Sequence, residues 1–205
     1  MQRLERGLRR SAVLSGASCA LALVVAYAST VLAAETKPLT AILLVARDEL
    51  PDPDFARSVV LVMNNLGPAP VGLIINRPTP MAVSQLFPKL KELARIHDRV
   101  YFGGPIDIGS VWFLFRSPTR PAHAIRACED IYVSADSALL TRLLGRANPM
   151  EGLRIFVGHS GWGPGQLQQE IAHKDWTLQR AGPEAIFGSN SEHPWPGPRT
   201  PKRSA

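Results

Sequence analysis

The chain has 205 residues, 45% of them hydrophobic, which supports one domain with a real core and is too short for two large ones. Of its net charge of +6, +3 lies in residues 1–33 and +2 in residues 191–205, leaving about +1 for the body. A nearly neutral body argues against a broad nucleic-acid surface, so nucleic acid is not an expected partner.

Arg3, Arg6, Arg9 and Arg10 face only Glu5, and Ser11 to Ala34 then carries no charge. A basic start, an apolar middle and a small-residue exit at Val31-Leu32-Ala33 have the form of a secretory signal. The uncharged run is also long enough to span a bilayer as a retained anchor. Residues 1–34 are therefore expected to be a signal peptide or anchor, and either places the body outside the cytoplasm. A misassigned start site is the alternative, with a cytoplasmic protein. Cys19 and Cys128 are the only cysteines, so the body has one thiol and no internal disulfide.

Thr40 to Ala46 reads as a buried strand, and Arg57–Met63 and Val71–Asn76 as an antiparallel hairpin around the turn cluster Asn64–Pro68. Arg77-Pro78-Thr79-Pro80 reads as a break. Ser84 is expected to cap a helix running to about Arg95, with Pro88 in its first turn or so. Arg99–Phe102, Ser110–Arg116 and the weaker Ala127–Ser134 are further strands. Asp136 caps a helix that ends before Gly145. Leu153–Val157 is a buried strand, and Gly165–Lys174 an amphipathic helix. Six or seven strands with about three helices predict an α/β (α+β) fold, with one large mixed, partly antiparallel sheet in residues 35–190. Residues 191–205, rich in proline and basic, are expected to be a disordered tail.

The loop G-H-S-G-W-G-P-G-Q (158–166) invites a serine-hydrolase reading. A nucleophile elbow needs glycine two residues before and two after the serine. Gly158 fits, but Trp162 stands at the second place, and no relay for Ser160 is evident. The glycines could instead present amides to an anion ahead of a helix, or simply allow a sharp turn while Trp162 plugs the sheet. The five histidines are scattered without metal spacing, so neither a metal nor a cofactor is expected. The acidic residues Asp48, Glu49, Asp52 and Asp54 sit in a proline-rich loop and read as solvated turn residues, with Asp52 able to reach Arg57 or Arg77.

D-P-D-F-A-R-S-V-V-L-V (52–62), G-L-I-I-N-R-P (72–78), Y-F-G-G-P-I (101–106) and G-x-S-G-W-G-P-G-Q-L-x-x-E-I (158–171) occur in this order. Together they resemble the YqgE/AlgH family over roughly residues 40–190. The resemblance implies a compact mixed α/β fold. One branch of the family is named for a regulatory effect on alginate production, and no catalytic set comes with the resemblance. Its members usually begin near the first strand and are thought to be cytoplasmic, so the leader-like start, the tail and His159 in place of a common Tyr are departures.

Strand-end positions and the glycine loop nominate Asn76, Arg77, Gly103, Gly104, Ser160, Gly161, Trp162, Gly163 and Gln166 as a candidate ligand-binding set that would share one cleft. Asp52, Phe55, Arg57, Ser58 and Pro105 match the family motifs and are expected to be structural. A non-enzymatic binding or regulatory module is the leading expectation, with a protein partner or a small anionic ligand. The competing one is a hydrolase or transferase using Ser160 or Arg77. A third is a nucleic-acid binder in which Arg77, Arg99 and Arg116 cluster.

Overall fold

Two apolar runs without alternation set the centre of the molecule. In the computed structural model, which describes residues 41–50 and 52–188, β1 (Ala41–Ala46) and β2 (Val59–Met63) are almost wholly buried. A strand reads as continuously apolar when both faces are covered. In β2, Val59, Leu61 and Met63 face one core while Val60 and Val62 face another, where Trp162, Leu167 and Trp176 lie. The leader at 1–34 and the tail at 191–205 lie outside the described residues.

The hairpin of β2 with β3 (Val71–Ile74) forms as expected, with Val60 opposite Ile74 and Met63 opposite Val71. The chain continues through β4 (Pro78–Ala82), α1 (Val83–Leu86), a 3₁₀ turn (Lys91–Arg95), β5 (Arg99–Phe102) and β6 (Ile106–Arg116). Then come β7 (Ile125–Cys128), β8 (Ile131–Ser134), α2 (Ser137–Leu144), β9 (Leu153–Gly161), α3 (Gln166–Ala172), β10 (Trp176–Arg180) and α4 (Pro183–Phe187). The ten strands make one curled, largely antiparallel sheet in the order β10-β1-β2-β3-β9-β6-β8-β7, with β5 pairing β9 in parallel and β4 pairing β5. The expected class, one mixed α/β domain with a large sheet, is what the described residues form.

Several elements differ from expectation. The helix expected from Ser84 to Arg95 is split in two. Its N-cap is Ala82, whose amide donates to Gln85 Oε1, so Pro88 falls past the first turn, where helix cannot continue. The proline-rich stretch after Arg77 is not a break but the edge strand β4. It pairs only β5 and with a shifted register, the setting in which a strand tolerates prolines. The single strand expected at 127–134 is the hairpin of β7 and β8, turning at Glu129 with φ 42°. Asp136 does cap α2, accepting from the Leu139 amide at 2.7 Å.

Candidate functional site

Strand β9 is the hinge of the arrangement. Phe156 pairs with Tyr101 of β5 and also with Trp112 of β6, so these strands flank it on opposite edges. Strand β3 joins β9 further along, at Ser160 and Gly161, on the edge that β5 has just left. Residues 103–105 must therefore carry the chain across β9 from one edge to the other.

Three glycines make that crossing fit. A Cβ on Gly103 would overlap the Gly158 carbonyl oxygen. One on Gly104 would overlap the His159 carbonyl and Ser160 Oγ, and one on Gly158 would overlap the Gly104 carbonyl oxygen. Gly104 and Gly158 also have φ of 150° and 69°, which side chains rarely adopt. The Gly103 amide donates to Val157 O, and the Gly103 carbonyl accepts from the Ile74 amide and from Ser160 Oγ at 3.1 Å. The G-G-P-I and G-H-S-G stretches are thus two halves of one backbone crossover. Ser160 is fully buried in it, while Pro105 is exposed just after it.

Asn76 and Arg77, nominated as ligand groups, hold the acidic loop. Asn76 Oδ1 accepts from the Val59 amide at 2.8 Å, and its Nδ2 donates to Arg57 O at 3.0 Å. Arg77 donates to the carbonyls of Asp54 and Ala56 and lies over the Phe102 ring, 5.8 Å from its centroid. It does not take the Asp52 carboxylate, which caps the turn by accepting from the Asp54 amide. Ser58 is buried and donates to Phe55 O. Burial lowers the Arg77 pKa and the nearby Asp54 charge raises it, desolvation being the larger effect.

Phe55, from the same loop, stacks on Trp162 at 6.3 Å and meets Trp176 edge-on at 5.8 Å. The Trp162 indole lies above Gly72, where a Cβ would meet it within 3.0 Å. Both indoles donate to one oxygen, Glu170 Oε2, each at 2.9 Å. Gln166 Nε2 donates to Glu170 Oε1, and Gln166 Oε1 accepts from the Gly163 amide at 3.0 Å. Gly161 and Trp162 thus close the loop on the sheet. The structure brings Phe55, Phe102, Trp162 and Trp176 into one cluster beside Arg77, but as packed side chains around hydrogen-bonded turns. Nothing in the sequence marks Glu170 as an acceptor, because its donors lie eight residues before it and six after it in separate elements.

The two described cavities lie elsewhere. One, of about 460 Å³, is lined by Pro78, His97, Arg99, Tyr101, Arg154 and Phe187 among others. The second, of about 630 Å³, shares Gly152 and Phe187 with it and adds Arg116 and Arg146. Arg99 and Arg116 line these adjoining cavities, whereas Arg77 caps the loop at Asp54, so the expected three-arginine cluster is not formed. Among the described residues, no three His, Cys, Asp or Glu side chains are grouped to hold a metal ion.

Burial, with Glu129 and Asp130 adding to it and Arg180 opposing, pushes the Cys128 thiol up to about 11. A raised thiol pKa means little thiolate at neutral pH, and the thiolate is the nucleophile. Alkylation of Cys128 by iodoacetamide, followed on its peptide by mass spectrometry, is expected to be slow at pH 7. It should accelerate only as pH rises toward about 11. Fast labelling at pH 7 contradicts this.

The AlgH-like family model (DUF179) matches residues 43–197. A UPF0301 protein of Streptomyces avermitilis is 33% identical over 172 residues, covering 78% of this chain and 85% of that protein. A UPF0301 protein of Myxococcus xanthus is 33% identical over 156 residues, covering 75% and 84%. A crystal structure of a protein from Corynebacterium diphtheriae matches with a TM-score of 0.60 at 28% identity, covering 78% of this chain and 84% of that one. The solution structure of AlgH from Pseudomonas aeruginosa shares the fold, with a TM-score of 0.61 at 23% identity, covering 76% and 84%.

Proposed function

Given that the chain belongs to the YqgE/AlgH family, which supplies a fold and no reaction, we propose that it is a non-enzymatic binding module with a regulatory role. The observation that carries this reading is the state of Ser160. The one serine whose context suggests a nucleophile is 0% exposed, and its hydroxyl donates to the Gly103 carbonyl inside the crossover. A nucleophile must reach substrate and give its proton to a base. Here the hydroxyl proton goes to a backbone carbonyl, and no imidazole bonds it among the described residues. The other motif side chains, Asn76, Arg77, Gln166 and Glu170, are likewise engaged with backbone and with one another.

A fluorophosphonate probe applied to the folded protein tests this. No label on Ser160 is expected, and no turnover on ester and phosphate panels. Labelling at Ser160, or steady hydrolysis abolished by one point change, overturns the reading in favour of a hydrolase or transferase. Ser160→Ala is expected to fold and to lose only about 1 kcal/mol, the net worth of one hydrogen bond. The cost is small because the Gly103 carbonyl keeps the Ile74 amide as a partner.

The leader-like start supports an exported protein. Fractionation of cells followed by N-terminal sequencing tests that, and an intact Met1 on soluble cytoplasmic protein would end it.

A further inference from the structure

A strand at the end of a sheet presents unpaired N–H and C=O groups, which invite another strand unless something guards them. Among the described residues, β4, β7 and β10 each pair with a single neighbour. Strand β4 is guarded by Pro78 and Pro80 and by its shifted register on β5. Strand β7 has a register shift between Arg126 and Cys128, and the Arg126 carbonyl accepts from Asn65 Nδ2 at 3.0 Å. Strand β10 has neither device. It holds no proline and no lysine, pairs β1 in an unbroken register from Trp176 to Arg180, and leaves Thr177 to Arg180 exposed. We infer that β10 is the contact edge of a symmetric dimer, in which a second copy of this chain adds its own β10 antiparallel across a two-fold axis at Leu178.

The hydrogen bonds of β1 fix which groups of β10 point outward. The Ala46 amide donates to Ser58 O, toward β2, and the Arg47 amide donates to Asp175 O, toward β10, at 3.0 Å. Backbone bonding alternates along an antiparallel strand. Thr177 and Gln179 therefore bond β1, while Trp176, Leu178 and Arg180 turn their amides and carbonyls to the open side. Two such edges join by setting outward residues against outward residues. Centred on Leu178, the pairing sets Leu178 against its own copy and Trp176 against Arg180 of the partner subunit. Each pair can exchange both of its N–H···O bonds.

The side chains suit this register. Leu178 is 49% exposed, and here it covers its own copy. Thr177 faces Gln179 of the partner subunit, and no like charges stand opposite each other. Centring on Thr177 instead would set Arg180 against Lys174 of the partner subunit, an unfavourable like pair. Centring on Gln179 would set Leu178 against a charged Arg180 and run Trp176 past the end of the strand. An edge complementary to itself meets the isologous condition of a two-fold contact, which points to a second copy rather than a foreign strand. A five-residue edge buries less than the about 1,600 Å² of a standard interface, so the dimer is weak, with a Kd on the order of 100 µM. The inference goes beyond the binding-module reading and does not depend on it.

The test is hydrogen exchange of the full chain at about 10 µM and about 1 mM, concentrations on either side of that Kd, with sedimentation velocity over the same range. Protection of the Trp176, Leu178 and Arg180 amides is expected to rise about fourfold at the higher concentration. Thr177 and Gln179, bonded to β1, should be equally protected at both. Leu178→Lys and Leu178→Glu each place like charges on the axis and should weaken association at least about tenfold. The side chain is exposed, so both variants should fold as the parent does. An equimolar mixture of the two should associate again, because in this register residue 178 meets residue 178 of the partner subunit. Met81→Lys, at a 44% exposed position on β4, should leave association unchanged. The inference falls if the three outward amides exchange alike at both concentrations, or if Leu178→Lys keeps the parent's dimer. It falls too if the mixed Lys and Glu variants associate no better than either alone. Each of those failures leaves the binding-module reading standing, whereas labelling of Ser160 would end that reading and leave the dimer edge untouched.

Discussion

Gly104→Ala is expected to cost about 3–5 kcal/mol, combining overpacking with a backbone conformation that side chains rarely adopt. For a domain of this size that is a fall in Tm of about 6–20 °C. The reason is local and has no soft partner. The added methyl meets the His159 carbonyl group and the buried Ser160 hydroxyl, and both belong to the strand being crossed. A flexible side chain could turn aside, but β9 is held by β3, β5 and β6. Gly103→Ala and Gly158→Ala meet the same crossing from its two sides and should behave alike. Gly67→Ala is the control, with nothing within 4 Å of its added methyl, and should stay within about 0.5 kcal/mol. Thermal melts of the four variants decide the matter. A Gly104→Ala protein that melts with the parent would remove the crossover as the reason for these glycines.

The same crossing explains what was legible in the sequence and what was not. Strands β1 and β2 could be read because both their faces are covered and their apolar runs are unbroken, and β3 and the Leu153–Val157 part of β9 because only Gly72 and Arg154 interrupt theirs. Strand β10 could not. Only Trp176 of its five residues is buried, so Thr177 to Arg180 carry no periodic signal, and their pairing with β1 is set by the sheet. Strand β4 was hidden by its prolines, which mark an edge only once the neighbour is known. The glycine motifs were visible as motifs, but their purpose needed two distant stretches in one place. A glycine that admits a ligand and a glycine that admits another strand look the same in one dimension.

The second large effect is expected at Glu170. One carboxylate oxygen accepts both the Trp162 and Trp176 indoles, whose residues are 5% and 4% exposed. Glu170→Ala leaves two buried donors without that acceptor, at about 1–3 kcal/mol each. The expected loss is about 3–4 kcal/mol, toward the low end for the pair because Glu170 is itself partly exposed and water can reach the gap. Glu170→Gln keeps one carbonyl oxygen for the indoles and should recover more than half of the loss. A double-mutant cycle separates this from mere packing. If the carboxylate joins helix α3 to β10 through Trp176, Trp176→Phe should cost clearly less in the Glu170→Ala background than in the parent. Equal costs in the two backgrounds would show the indole bond to be incidental. The hydrogen bonds also predict where damage spreads. Losing Glu170 releases Gln166, and with it the Gly163 amide, so exchange protection should fall across the loop from Gly161 to Gln166 while β2 and β3 stay protected. The loop that first resembled a hydrolase turn is thus held at its helix end by a carboxylate and at its strand end by three glycines. Glu170→Ala should loosen the first and Gly104→Ala break the second, with Ser160 still facing a carbonyl in the former.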